Sequence, residues 1–150
     1  MINIKNIKFV LILTVLGLSS CSANSANDLQ MEVISQKEQT LAEIDQTPTT
    51  FQLSLEKDFA AWQRAGLFFR QYIPDAQLSI NTAKLISNRG SNSKYIYEVR
   101  RRISPNGDST YSVDCYRNHP SATLEAAERN AKNLARFISS GVLELTLLER

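Results

Sequence analysis

The stretch Lys94–Arg117, KYIYEVRRRISPNGDSTYSVDCYR, alternates apolar and polar residues on both sides of one turn. Tyr95, Tyr97, Val99 and Ile103 fall on one face of an extended chain, and Glu98, Arg100 and Arg102 on the other. Past the turn, Tyr111, Val113 and Cys115 share a face, with Thr110, Ser112 and Asp114 opposite. A period of two is that of a half-buried strand. Two such runs around Pro-Asn-Gly predict an antiparallel hairpin. A two-residue Asn106-Gly107 loop would set Arg102 against Tyr111, mixing charged and core positions. A three-residue Pro105-Asn106-Gly107 loop pairs Ser104 with Asp108, Val99 with Val113 and Tyr97 with Cys115. It keeps apolar against apolar, which a one-residue slip destroys. Pro suits the start of a type I turn, and Gly its left-handed position. The same register sets Glu98 opposite Asp114, a like-charge pair that Arg100 can relieve on the diagonal.

A sheet with one apolar face must be covered, and two segments have the period to do so. Leu55, Phe59, Trp62, Gly66, Phe69 and Ile73 recur at helical spacing. Ser54 is the expected N-cap, Glu56 and Asp58 lie in the first turn, and Pro74 stops the helix. Gly66 costs about 1 kcal/mol relative to Ala in a helix, and its place in the stripe predicts close approach to a neighbour. The second helix is expected from Pro120 to Ser139, with Leu124, Ala127, Ala131, Leu134 and Ile138 inward, Phe137 beside them and Gly141 as the stop. Leu78–Ser87 is a further extended segment, and the tail V-L-E-L-T-L-L-E is a candidate short strand. The expected domain, 51–150, is α+β in two layers. An antiparallel three-stranded meander, with the tail as candidate fourth strand, packs on two amphipathic helices in the order α-β-β-β-α.

The start of the chain reads differently. Lys5 and Lys8 precede the apolar run Phe9–Leu18, and small residues lead to Cys21. This is the plan of a secretory signal: positive region, apolar region, small-residue cleavage site. At ~10 residues the run is too short to span a ~30 Å hydrocarbon core. Leu18-Ser19-Ser20-Cys21 resembles the lipobox of bacterial lipoproteins. The resemblance implies that residues 1–20 are removed as a signal peptide and that the Cys21 sulfur carries a diacylglyceride. Two or more acyl chains hold firmly where one does not. Ser22 after the cysteine resembles the outer-membrane class, which implies an anchor in the outer membrane facing the periplasm. Residues 21–50 then read as lipidated cysteine and flexible tether, with Met31, Ile34, Leu41 and Ile44 on one weak helical face that Glu38 interrupts. A flexible tether of ~25–30 residues reaches about 30 Å.

Charge and composition exclude several activities. Lys+Arg number 17 against 15 Asp+Glu, and Lys5 and Lys8 are the whole excess, so the rest of the chain is balanced. That leaves no general basic field for nucleic acid. Of 2 cysteines, lipidation uses one, so Cys115 has no intramolecular partner and is expected in the core. The single His119 sits between Asn118 and Pro120 with no nucleophile elbow in the sequence, and a loop or capping role is expected of it. One His, one free Cys and scattered carboxylates make no metal-ligand set, so neither metal nor cofactor is expected.

The run Arg100-Arg101-Arg102 is the most conspicuous charge feature. On a strand, Arg100 and Arg102 share the polar face, while Arg101 points toward the helices. The face made by Glu98, Arg100, Arg102, Ser112 and Asp114 is therefore the candidate partner-binding surface. The expected function is that of a non-catalytic binding or accessory module, held to a membrane by the lipid on Cys21 and engaging an envelope protein. Two alternatives are an envelope hydrolase and an inhibitor or immunity protein of a periplasmic enzyme.

Overall fold

The structure is a computed structural model and describes residues 22–73, 78–80, 83–87 and 93–149. The leader and lipidation readings, residues 1–20 and Cys21, lie outside the described residues. The chain divides into a unit ending at Gln36 and a unit from Lys37 onward.

The architecture is α+β. The described residues form helix α1 (Ser22–Asp45), strand β1 (Thr50–Leu53), helix α2 (Leu55–Tyr72), strands β2 (Leu78–Ile80), β3 (Lys84–Ser87), β4 (Tyr95–Ile103) and β5 (Ser109–Arg117), and helix α3 (Leu124–Ser140). The strands make one antiparallel sheet in the order β1-β5-β4-β3-β2. The central hairpin has the expected register: Val99 faces Val113, Tyr97 faces Cys115 and Glu98 faces Asp114. Ser104 N–H donates to Asp108 O at 2.8 Å, and Gly107 takes φ +89° in the three-residue loop. An alanine at Gly107 would force a left-handed residue and bring its Cβ to 3.3 Å from Leu55 Cδ2.

The sheet is wider than the three-stranded meander that the periodicity predicts. Leu78–Ser87 is two strands rather than one, with Leu78 folded back opposite Ser87. The partial alternation of this run gives no local sign of the reversal. Strand β1 comes from residues assigned to the tether and to the approach to α2. Its pairing with β5, Phe51 opposite Tyr111 and Leu53 opposite Ser109, is a long-range contact that four residues cannot announce locally. The tail forms no strand. Leu145–Leu147 is a 3-10 turn, and adjacent Leu147 and Leu148 are both buried, which one face of a strand does not allow.

Helix α2 covers the sheet with a different stripe from the expected one. Its buried residues are Asp58, Ala61, Ala65, Phe68 and Phe69, while Leu55 and Phe59 are 64% and 70% exposed. The buried face lies about one residue earlier, roughly 100° around the helix. The alanines let the helix sit close to the sheet, so small residues rather than large ones mark the contact. Gly66 makes no close approach: a Cβ there meets only Arg70 Nη2 at 3.8 Å.

Helix α3 starts at Leu124, later than Pro120, because Thr123 is the cap whose Oγ1 accepts from Ala126 N–H at 3.1 Å. Leu124 is exposed, whereas Ala127, Ala131, Leu134 and Ile138 are buried as expected. Gly141 ends the helix at φ +87°. Arg64 of α2 ties the helices together, its Nε donating to Ile138 O at 2.8 Å and its Nη2 to Ser139 O at 3.2 Å.

Residues 22–45, read as flexible tether, are one helix of 24 residues. The segment has no Gly or Pro, and its Ala, Leu, Glu, Gln and Lys favour helix even where the apolar face is weak. The domain also begins earlier than residue 51: Ile44 is fully buried, and Glu43 meets Arg136 of α3 at 2.5 Å.

Candidate functional site

The sheet face opposite α2 and α3 gathers the five residues singled out in the sequence. Pairing of β4 with β5 sets Arg100 beside Ser112 and Arg102 beside Thr110, and pairing with β3 adds Lys84 beside Arg100. Lys84 is a member that sequence reasoning missed, because the register of Leu78–Ser87 was not legible. Arg100 and Arg102 are exposed, and Ser112 and Asp114 are half-buried.

Glu98 is the exception on this face. It is 4% exposed, although the alternation places it on the polar side. Lys84 Nζ lies 2.8 Å and Arg100 Nε 2.6 Å from the same oxygen, Oε1. Both contacts are ion pairs, and charge is the larger part of the effect of Glu98 on Arg100. Arg100 also reaches Asp114 Oδ2 at 3.5 Å, the expected diagonal relief of the like-charge pair. Glu98 holds the Arg100 guanidinium above its ordinary value, against the opposing effect of burial. Arg102 is exposed and makes no ion pair among the described residues. The arrangement is an ionic strip in which Lys84 and Arg100 are braced on buried Glu98, Arg100 also reaches half-buried Asp114, and Arg102 projects next to them as the excess cation. It can present positive charge to an anionic surface without reorganising.

The third arginine has a separate role on the helix side, as the strand geometry predicts. Arg101 Nη1 donates to Asp58 Oδ2 at 3.1 Å, and its guanidinium carbon sits 4.3 Å from the Trp62 ring centre. The Tyr111 hydroxyl donates to Asp58 Oδ1 at 2.7 Å, and Phe51 stacks on Tyr111 at 5.3 Å and 3°. Burial, then the bond to Asp58, pushes the Tyr111 hydroxyl well above its ordinary value. The sequence places Asp58 in the first helical turn, where the dipole favours an anion. Its place on the alanine face was the cue to its burial.

The remaining candidates carry little chemistry. Cys115 is half-buried on the helix side, and burial pushes its thiol up to about 12, so at neutral pH it is protonated and a poor nucleophile. His119 is exposed, with Nδ1 2.8 Å from Ser121 Oγ and accepting from Ser121 N–H at 3.2 Å, a local turn. Among the described residues no three His, Cys, Asp or Glu side chains stand where they could hold a metal ion. An open recess of about 240 Å³ lies between α1 and α3, lined by Leu41, Asp45, Glu125, Glu128 and Arg129. Lys132 holds the Glu128 carboxyl below its ordinary value by a hydrogen bond and by charge. No described helix is long and apolar enough to cross a membrane. Compared with protein-family models, with curated proteins and with solved structures, the chain matches none.

Proposed function

We propose that this chain is a lipoprotein of the bacterial envelope, anchored through Cys21 and facing the periplasm from the outer membrane, and that it binds an envelope protein rather than catalysing a reaction. The address rests on Leu18-Ser19-Ser20-Cys21 behind a short apolar run. The binding role rests on one observation, the ionic strip in which buried Glu98 braces Lys84 and Arg100 beside exposed Arg102. A partner with a clustered acidic surface complements it, because cations already held in place lose little freedom on binding. The non-catalytic reading is supported by what engages the carboxylates of this face. Glu98 and Asp114 are both engaged by Arg100, so the carboxylates of this face serve as braces for a cation rather than standing together as a catalytic pair.

The anchor and the face are tested separately. Mass spectrometry of the mature chain should find a diacylglyceryl group on Cys21, and Cys21→Ala should leave the membrane fraction. A photo-crosslinking residue at Arg102 should trap one protein in intact envelopes, whereas the same probe at exposed Gln63 on α2 should not. Charge reversal by Arg100→Glu with Arg102→Glu should abolish an adduct formed from a neighbouring probe at Thr110. Retention of that adduct would remove the face from the account while leaving the anchor standing.

A further inference from the structure

We propose that the cleft holding Leu143–Glu149 is a peptide-recognition site, that the tail is its resident ligand, and that a partner segment of the same chemistry, a leucine pair followed by glutamate, replaces it. The buried face of α3 is alanine, leucine and isoleucine except at Asn130 and Asn133, both fully buried. A buried amide is costly unless its donor and acceptor are both satisfied. Each of these amides is satisfied by the main chain of one tail residue. Asn130 Nδ2 donates to Glu149 O at 2.8 Å, and its Oδ1 accepts from Glu149 N–H at 3.1 Å. Asn133 does the same to Glu144, at 2.7 Å and 3.0 Å. The paired donor and acceptor on one residue is what a neighbouring strand offers in an antiparallel ladder. Such contacts read backbone and accept any side chain.

Selectivity comes from what surrounds the two clasps. Leu147 and Leu148 are each 8% exposed. The Glu149 carboxylate accepts from Arg129 Nη2 at 2.7 Å and from the Tyr95 hydroxyl at 3.2 Å, and the Tyr97 hydroxyl donates to Glu149 O at 3.2 Å. Four side chains from α3 and β4 thus converge on one residue of the tail, which is more than seating two leucines requires. Among the described residues the tail's own backbone bonds are local, Leu147 N–H to Glu144 O and Leu148 N–H to Leu145 O. The exposed stretch Ser140–Val142, with Gly141 already in the left-handed region, is the link about which the tail would turn, and because Leu148 belongs to the core cluster the replacing segment must fill its place.

The test uses the full chain and a labelled peptide, Val-Leu-Glu-Leu-Thr-Leu-Leu-Glu, followed by fluorescence anisotropy. In the wild-type chain the tail competes at an effective concentration of about millimolar, so the peptide binds weakly. Leu148→Asp and Glu149→Lys weaken the tail and should each tighten peptide binding by about tenfold or more as that competition is relieved. Glu149→Lys changes an exposed side chain, so it keeps the test open if Leu148→Asp fails to fold. Adding Asn130→Leu to Glu149→Lys should abolish the gain, and a peptide ending in Lys instead of Glu should bind about tenfold more weakly through loss of its charged contacts. A Glu149→Lys chain with native circular dichroism that binds the peptide no more tightly than wild type would overturn the proposal.

Discussion

Asp58 and Arg101 are the best-buried ion pair among the described residues, with side chains 11% and 12% exposed. Asp58→Asn keeps a hydrogen-bond partner for Tyr111 but removes the carboxylate charge that Arg101 Nη1 meets at 3.1 Å. It should destabilise the fold by about 3 kcal/mol, read from the midpoint of urea unfolding. Tyr111→Phe loses only the hydroxyl and should cost about 1 kcal/mol plus the consequence of leaving Asp58 short of a donor. Lys84 is 40% exposed and its loss leaves Arg100 on Glu98, so Lys84→Met should change stability by less than about 1 kcal/mol. Cys115 supplies a pH test. Its folded thiol is raised from 9.0 to about 12. The stabilisation linked to it is therefore complete below pH 9 and is lost as pH rises from 9 toward 12. Tyr111, shifted in the same direction, adds to that loss. Cys115→Val should flatten the alkaline fall in stability, and thiol-reactive dye should label the native wild-type chain at pH 8 far more slowly than the urea-unfolded one. The alternation made Arg101 and Cys115 legible as inward residues. Asp58 was not, because a carboxylate in a first helical turn has a ready local explanation in the helix dipole.

At the level of elements, strands β4 and β5 and their loop were legible because their information is local. Alternation sets the faces, and Pro-Asn-Gly sets the register. Helices α2 and α3 were legible as helices, but the rotation of α2 was not. Periodicity weighs large side chains, whereas Ala61 and Ala65 pack where the backbone comes nearest the sheet, and Leu55 and Phe59 remain exposed. Helix ends offer a direct test. Arg64 bonds the last carbonyls of α3, Ile138 O and Ser139 O, where the dipole favours a cation. Arg64→Met preserves the apolar stem and should cost about 2 kcal/mol. Gly141→Ala imposes a side chain at φ +87° and should cost about 1 kcal/mol. Thermal unfolding of both variants and their double should reveal partial coupling, since the Cβ added at Gly141 lies 3.7 Å from Arg64 Cδ.

For the whole molecule, the boundary of the folded domain is the clearest departure from the sequence reading. Ile44 is fully buried and Glu43 pairs with Arg136, so the last turns of α1 belong to the domain. Ile44→Ala should cost about 2–4 kcal/mol. A chain beginning at Phe51 should unfold at a lower urea concentration than one beginning at Lys37, and equal midpoints would restore the later boundary. The sequence by itself determined the central hairpin with its register, the presence of two covering helices, and the polar face on which Arg100 and Arg102 sit. Each of these is written in residues close together along the chain. Only tertiary structure decided that Thr50–Leu53 joins the sheet, that Asp58 meets Arg101, that Glu98 is buried between cations, and that two asparagines of α3 grip the tail. These depend on partners that are distant in sequence. A four-residue strand, a lone carboxylate or a buried amide has no local pattern that reveals its partner until the chain has folded.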